Sequence, residues 1–168
     1  METIIDNLCR EMPAYGWEMV LGLGKGAVHN RVEEFQEAHP GLPIVEIDGT
    51  KGTRRGRLSA LEEVIRRSDP DIVLSARIFD AYEATASLKL RYGRPRLAVT
   101  VRSYEPHYLY DARKYRDQID LCVTSGRLLA EACVRWSGIE RERVTSIPGG
   151  VRMPRVKVLP RQPEGRIL

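Results

Sequence analysis

Short apolar runs alternate with longer segments of helical spacing along most of this chain, and this alternation limits the folds that it can adopt. The clearest run, Asp71–Ser75 (DIVLS), shows almost no polar alternation. Such a run is typical of a strand buried on both faces, as in a parallel sheet covered by helices. Six runs are predicted as strands: 17–21, 44–47, 71–75, 96–101, 119–124 and 144–147. With helices between them they predict right-handed crossovers and a Rossmann-like, three-layer α/β/α fold with a mainly parallel sheet.

The segments between these strands carry apolar residues at the spacing of one helix face. The predicted helices cover 3–13, 29–38, a stretch that follows Gly56, 80–91, 111–118 and 126–136. In the last of them, one side is predicted to hold Leu129, Ala132, Cys133 and Trp136. After Val151 the composition changes to scattered prolines and arginines. The sequence therefore predicts one domain over residues 1–153 and a Pro/Arg-rich linker over 154–168.

Composition and charge argue against several classes of protein. No apolar span approaches the roughly 20 residues of a membrane-crossing helix. Cys9, Cys122 and Cys133 lie among apolar neighbours, which favours buried thiols in a reducing cytoplasm over disulfides or metal ligands. The 27 basic residues only modestly exceed the 23 acidic ones and are dispersed, so nucleic-acid binding is not predicted. A cytoplasmic location is expected, with peripheral contact at the inner face of the membrane as an open alternative.

One polar loop carries most of the reactive side chains of the sequence. Ligands of parallel α/β sheets bind beyond the carboxyl ends of the strands. Directly after strand 96–101 come Arg102, Ser103, Tyr104, Glu105 and His107. Arg102 or His107 would bind phosphate or hydroxyl groups, and Glu105 would accept a hydroxyl proton. A polar loop that only caps the sheet is the alternative explanation.

Two further segments are predicted at the same edge of the sheet. Arg77 stands just past strand 71–75 and would meet an anionic or hydroxylated ligand; a surface ion pair with Asp80 is the alternative. Gly149 and Gly150 follow the last strand, and their lack of side chains would allow close approach to a ligand or a second domain. Plain turn geometry explains these glycines equally well.

A glycine-rich segment suggests a different function. The segment Gly22–Gly26 (GLGKG) is predicted as a loop between a strand and a helix, and Glu46 and Asp48 end the next strand. This pattern resembles the dinucleotide-binding fingerprint, although its third glycine comes one residue early. An NAD(P)-binding Rossmann oxidoreductase domain is therefore the alternative function, and a plain connecting turn is the commoner use of such a segment.

Four segments, in order and spacing, resemble the family 4 retaining glycosyltransferases of the GT-B fold. MPAYGWEMVLGL is similar to the end of that family's first helix and its second strand, and RRSDPDIVLSA is similar to its PDIVH strand. RLAVTVRSYEP resembles the strand that ends in a TxHD segment. IERERVTSIPGGVRMP resembles the KVxVIPNGVD segment that closes the N-terminal domain. Together these segments span about residues 1–154.

The resemblance implies the N-terminal, acceptor-side domain of a hexosyltransferase-like enzyme. Such an enzyme moves a sugar from a nucleotide-sugar donor to a sugar or lipid acceptor with retention, usually without a metal ion, so no cofactor is expected. Arg102 stands where the family has a histidine that lines the cleft, and unlike histidine it keeps its proton. The implied residues are Arg102 and Glu105 for catalysis, Arg77, Ser103, Tyr104, His107 and Ser125 for the acceptor, and Gly149 and Gly150 at the interdomain hinge or facing the donor.

The resemblance also implies missing parts. The family begins with a strand and a Gly-Gly loop before its first helix, and it continues into a C-terminal donor-binding domain. We therefore expect a fragment that is truncated at both ends and inactive alone. A missing central strand would leave backbone groups unpaired. We expect that Val156–Leu159 fills this gap in the sheet, or that a neighbouring chain fills it through dimerisation or strand exchange.

Overall fold

The computed structural model describes residues 2–26, 28, 30–76 and 78–149, in which helices and parallel strands alternate. The helices are α1 Glu2–Glu11, α2 Val32–Ala38, α3 Arg54–Ser68, α4 Phe79–Tyr92, α5 Pro106–Lys114 and α6 Arg127–Ala132. The strands are β1 Leu21–Gly26, β2 Ile44–Gly49, β3 Ile72–Ser75, β4 Arg96–Val101, β5 Ile119–Thr124 and β6 Val144–Ser146. A π-helical turn, Cys133–Ser137, continues α6, and two 3₁₀ turns cover Met12–Tyr15 and Arg141–Arg143. This arrangement is the predicted Rossmann-like, three-layer α/β fold.

The ends of helix α3 show how local sequence sets the boundaries. The Thr53 side chain accepts a hydrogen bond from the Gly56 N–H at 3.0 Å, which caps the first turn. Arg66 and Arg67 lie in the last turn, where cations favour the negative end of the helix dipole. The helix ends at Asp69, which adopts a left-handed conformation with φ of 42° before Pro70. The sequence Ser-Asp-Pro therefore stops the helix and releases the chain into β3.

All strand pairings in the described residues are parallel, but they form two sheets rather than one. β1 pairs with β2, and β3, β4, β5 and β6 pair in that order. The two sheets are linked through helices: Ile47 of β2 and Val73 of β3 both pack against an apolar cluster on α3 and α4. The exposed fractions of Ile72 and Leu74 are 40% and 42%. The expected filling of a gap by Val156–Leu159 falls outside the described residues.

The main core lies between the four-stranded sheet and helices α4 to α6. Its strand residues are fully or almost fully buried: Leu97, Val99, Val101, Ile119 and Cys122. Its remaining members come from α4, α5, α6 and the residues after α6: Tyr82, Tyr108, Ala112, Leu129, Ala132, Cys133 and Ile139. The three cysteines are free and buried, as predicted. β4 and β5 therefore supply all of the buried strand residues of this cluster.

Two of the boundaries that differ from the predictions change the interpretation of a predicted site. The first strand was predicted at 17–21 but lies at Leu21–Gly26, so the segment predicted as a glycine-rich loop is a strand. The helix predicted at 111–118 begins earlier, at Pro106, because a proline fits the first turn of a helix, where its missing N–H is not needed. Pro106 and His107 are therefore the first residues of α5 and not part of a long loop.

Removing one buried hydroxyl should not destabilise the protein. Tyr82 is fully buried, its hydroxyl has no hydrogen-bond partner among the described residues, and burial raises its pKa. We expect Tyr82→Phe to leave the free energy of unfolding unchanged or to raise it by about 1 kcal/mol, because an unpaired polar group no longer has to be desolvated. Urea denaturation at pH 7 measures this difference.

A matched variant gives the comparison for this test. The Tyr115 hydroxyl donates to the Glu83 carboxylate at 2.6 Å, so Tyr115→Phe should cost about 1 kcal/mol. A loss of similar size in Tyr82→Phe would mean that the Tyr82 hydroxyl is hydrogen-bonded in solution, against our expectation.

Candidate functional site

The loop that follows β4 brings three of the predicted residues into contact. The Ser103 hydroxyl donates to Glu105 Oε1 at 3.1 Å, and Nε2 of His107 lies 3.3 Å from Glu105 Oε2. One oxygen of the carboxylate therefore contacts the loop after β4, through Ser103, and the other contacts the first turn of α5, through His107. Glu105 also precedes Pro106 at the N-terminus of α5, where the helix dipole favours a negative charge. The result is a positioned carboxylate at the carboxyl end of a buried strand.

Aromatic rings hold the imidazole of His107 in place. The ring contacts Phe79 edge-on, with centroids 5.2 Å apart, and stacks on Tyr108 with centroids 4.8 Å apart. Phe79 is the first residue of α4, and Tyr108 is buried in the main core. The side chain that contacts Glu105 is thus supported by two helices rather than lying free in solvent. No pattern in the sequence singles out Phe79.

The same edge carries Arg102 and Ser125. The Ser125 hydroxyl donates to the backbone carbonyl of Arg102 at 3.4 Å, which ties the loop after β4 to the turn after β5. The Arg102 side chain is exposed, and among the described residues it has no ion pair or hydrogen bond. Arg102 is therefore a cation available to an anionic or hydroxylated ligand.

Tyr104 points toward a residue that was not predicted to lie near the site. Its ring meets that of Trp136 at an angle of 65°, with centroids 6.4 Å apart. Helical spacing had placed Trp136 on the same side of its helix as Leu129 and Cys133. That prediction is wrong, because the helix widens into a π turn from Cys133 onward and Trp136 becomes exposed.

An additional carboxyl lies on α5, one turn beyond His107. The pKa of Asp111 is raised, mainly by burial, while nearby Lys114 and His107 act in the opposite direction. Carboxyls with raised pKa values are common in functional sites, although structural positions share this property. The spacing of four residues between His107 and Asp111 is the sequence signal that would have identified it.

The remaining predicted site residues are less informative. Arg77 and Gly150 lie outside the described residues, and Gly149 is exposed. Asp80 lies in the first turn of α4 and forms an ion pair with Arg57 of α3, N···O 2.7 Å. For the segment that follows β3, the structure therefore shows only that it begins at the same edge of the sheet as the loop after β4.

The glycine-rich alternative loses its structural basis. Gly22, Gly24 and Gly26 lie within β1 and pair in parallel register with Val45, Ile47 and Gly49 of β2. A dinucleotide fingerprint needs these glycines in a turn that leads into a helix, where their amides face the pyrophosphate. Here their backbone groups belong to a strand, so the segment Gly22–Gly26 is not such a loop.

The fold and the loop after β4 together define a Rossmann-like α/β protein whose candidate ligand site lies at the carboxyl end of the sheet. Among solved structures, the chain is similar to a glycosyltransferase from Rickettsia africae ESF-5, with a TM-score of 0.60 and 13% sequence identity. The similarity covers 89% of this chain and 39% of that one. No family model and no curated protein matches the sequence. At this identity the similarity shows a glycosyltransferase-like fold.

No helix in the described part of the chain is long and apolar enough to cross a membrane.

Proposed function

We propose that this chain is the acceptor-side portion of a glycosyltransferase, which moves a sugar from a nucleotide-sugar donor to an acceptor with retention. The observation that carries the proposal is the Ser103–Glu105–His107 contact, at the carboxyl end of the sheet in a glycosyltransferase-like fold. A glycosyl acceptor presents hydroxyl groups, and a fixed carboxylate beside a hydroxyl and an imidazole suits their binding.

Each polar residue of the loop has a role in this proposal. Glu105 accepts the proton of the acceptor hydroxyl while its oxygen bonds to the anomeric carbon on the face from which the nucleoside diphosphate leaves with the electron pair of the broken bond, so that the configuration is retained. Ser103 and His107 hold the carboxylate of Glu105 and bind neighbouring hydroxyls. Arg102 faces the negative charge of the donor phosphates and cannot act as a base, because it keeps its proton. Ser125 fixes the backbone of Arg102 and lines the acceptor side with Tyr104.

The donor half of the reaction is proposed to lie outside this chain. The chain spans 39% of the length of the structurally similar glycosyltransferase. In the proposal, residues 1–153 form the acceptor domain, residues 154–168 lead toward a donor-binding domain, and Gly149 and Gly150 lie at the hinge. The chain alone then binds acceptors without transferring sugar, needs no metal, and functions in the cytoplasm or at the inner face of the membrane.

Ligand-observed NMR tests this proposal. We expect saturation transfer from the protein to methyl glycosides of glucose, galactose, mannose or N-acetylglucosamine, and none to UDP or GDP. Glu105→Gln should weaken the binding of the glycoside about tenfold, because hydrogen bonds to a charged group are stronger than those to a neutral one. Glu33→Gln, on the exposed surface of α2, is the matched control and should bind like the wild type.

Two results would contradict the proposal. Micromolar binding of UDP or GDP by this chain would show that the donor site lies here. The absence of binding by any glycoside at concentrations up to about 100 mM, in a protein with a cooperative thermal transition, would remove the acceptor role.

A further inference from the structure

The π turn after α6 places one aromatic residue on the surface and one hydroxyl in the core. In a regular helix, residues 129, 132, 133 and 136 share a face. A π turn holds more residues per turn, so the inward position after Cys133 passes to Ser137. Ser137 is fully buried, and its hydroxyl donates to the backbone carbonyl of Leu109 on α5 at 3.0 Å. Trp136 is left 54% exposed.

The exposed indole lies against the loop of the candidate site. Tyr104, its ring neighbour, is 51% exposed and stands between Ser103 and Glu105 in the chain. The two rings meet at 65°, so they form an open corner on the surface instead of covering each other. Half-exposed tryptophan beside half-exposed tyrosine leaves apolar ring surface in contact with water, and such rings are typical of binding surfaces.

The surroundings of this aromatic corner favour a small amphipathic ligand. Glu131 and Arg135 on the same helical segment are exposed and charged, and Glu131 forms an ion pair with Arg141. A lipid tail or an apolar protein partner would need a wider apolar surface than two half-exposed rings. The ring of a pyranose fits better, because its C–H face packs on an aromatic ring while its hydroxyls point outward to polar groups.

We propose that Tyr104 and Trp136 form a stacking subsite for a pyranose ring of the acceptor. This inference rests on the proposed function and narrows the acceptor to a molecule that carries a sugar ring. The ring packs in the aromatic corner, and the polar side of the same loop, Ser103 and Glu105, accounts for the hydroxyl contacts. Trp136 determines specificity by its shape and takes no part in proton transfer.

The two tryptophans of the chain allow a direct test. Trp17 is 47% exposed and lies just after the 3₁₀ turn that follows α1, so it serves as the matched control. In Trp17→Phe the only tryptophan fluorescence comes from Trp136; in Trp136→Phe it comes from Trp17. Titration with the methyl glycosides should shift the emission of Trp17→Phe saturably and leave that of Trp136→Phe unchanged.

Affinities measured by NMR complete the test. Trp136→Ala and Tyr104→Ala should each weaken the binding of the glycoside about tenfold, and Trp17→Ala should leave it unchanged. Thermal unfolding of each variant checks that the exposed residue was removed without loss of the fold.

The outcomes separate this inference from the proposed function. Binding of the glycoside that is sensitive to Glu105→Gln but insensitive to Trp136→Ala, with no change in Trp136 emission, would overturn the stacking subsite alone. If no glycoside binds to the wild type, the acceptor function and the subsite fail together.

Discussion

Amides of β1 and β2 should exchange with solvent at least about a hundredfold faster than amides of β4 and β5. No side chain in β1 or β2 is fully buried, whereas β4 contributes Leu97, Val99 and Val101 to the main core. The exchange of a strand amide requires local opening, whose free energy rises with the apolar contacts that are broken. Hydrogen exchange followed by NMR or mass spectrometry at pH 7 measures the difference.

The separation of the two sheets is the reason for this expectation. Among the described residues, backbone hydrogen bonds do not join the two-stranded sheet to the four-stranded one. Packing of Ile47 and Val73 on the apolar cluster of α3 and α4, which includes Leu61, links them instead. Leu61→Ala should therefore speed exchange in β1 and β2 more than in β4 and β5.

A substitution of the same kind in the main core gives the contrast. Leu129→Ala removes a buried leucine from the cluster that contains β4 and β5, so it should speed exchange in those strands. Equal protection of all strands in the wild type would contradict the expected order and would show that both sheets open as one unit.

Hydrogen exchange also tests whether a neighbouring chain fills the expected gap in the sheet. Ile72 and Leu74 expose apolar surface on β3, whose second edge is unpaired in the described part of the chain. If a neighbouring chain adds a strand there, as expected from the sequence, protection of β3 amides should rise with protein concentration together with the sedimenting mass. Protection that does not depend on concentration in a monomer would rule out the neighbouring chain.

The strands that were predicted most accurately are those with the clearest apolar pattern in the sequence. β4 and β5 occupy 96–101 and 119–124, as predicted, because their apolar runs supply buried residues of the main core. β1 was misplaced because its three glycines disfavour a strand by local propensity. Pairing with β2 overrides that propensity: a Cβ on Gly22 would lie only 2.9 Å from Ile47 Cδ1, so glycine suits the close packing there.

The candidate site was predicted in part. The loop after β4 was identified because reactive residues followed a buried strand, and this position is a general property of parallel sheets. The contribution of Phe79 depends on where α4 packs, and that of Trp136 depends on a π turn that leaves no mark in apolar spacing. Local sequence patterns identify the residues at the edge of the sheet, but they do not identify the residues that neighbouring helices place beside it.

The second large effect should come from replacing Asp120, whose carboxylate accepts a backbone hydrogen bond at an irregularity between β4 and β5. The parallel register shifts between Leu97 and Ala98, so that Leu97 pairs with Ile119 and Ala98 with Leu121. Asp120 is the extra residue, and its Oδ2 accepts a hydrogen bond from the Leu97 N–H at 2.8 Å. The same oxygen accepts from the Lys89 ammonium of α4 at 2.7 Å.

Replacing this carboxylate should cost more than a typical surface ion pair. Asp120→Ala leaves the backbone N–H of Leu97 without its acceptor and removes a partner of Lys89, so we expect a loss of about 2–3 kcal/mol in the free energy of unfolding. Asp120→Asn keeps an oxygen acceptor of similar shape and should lose only about 1 kcal/mol. Urea denaturation of the three proteins at pH 7 gives both numbers.

The pH dependence of the free energy of unfolding distinguishes the effect of the charge of Asp120 from the effect of its shape. Burial favours the neutral carboxyl, but hydrogen bonds from Lys89 and the Leu97 N–H outweigh it and hold the pKa of Asp120 below its ordinary value. A carboxyl with a lowered pKa stabilises the fold above its unfolded pKa, about 3.9, and loses this contribution as the pH falls below that value. The stability gap between the wild type and Asp120→Asn should therefore be full at pH 7 and narrow toward pH 3. A gap that stays constant over this range would show that the carboxylate acts by shape alone, because only the charged form attracts the Lys89 ammonium.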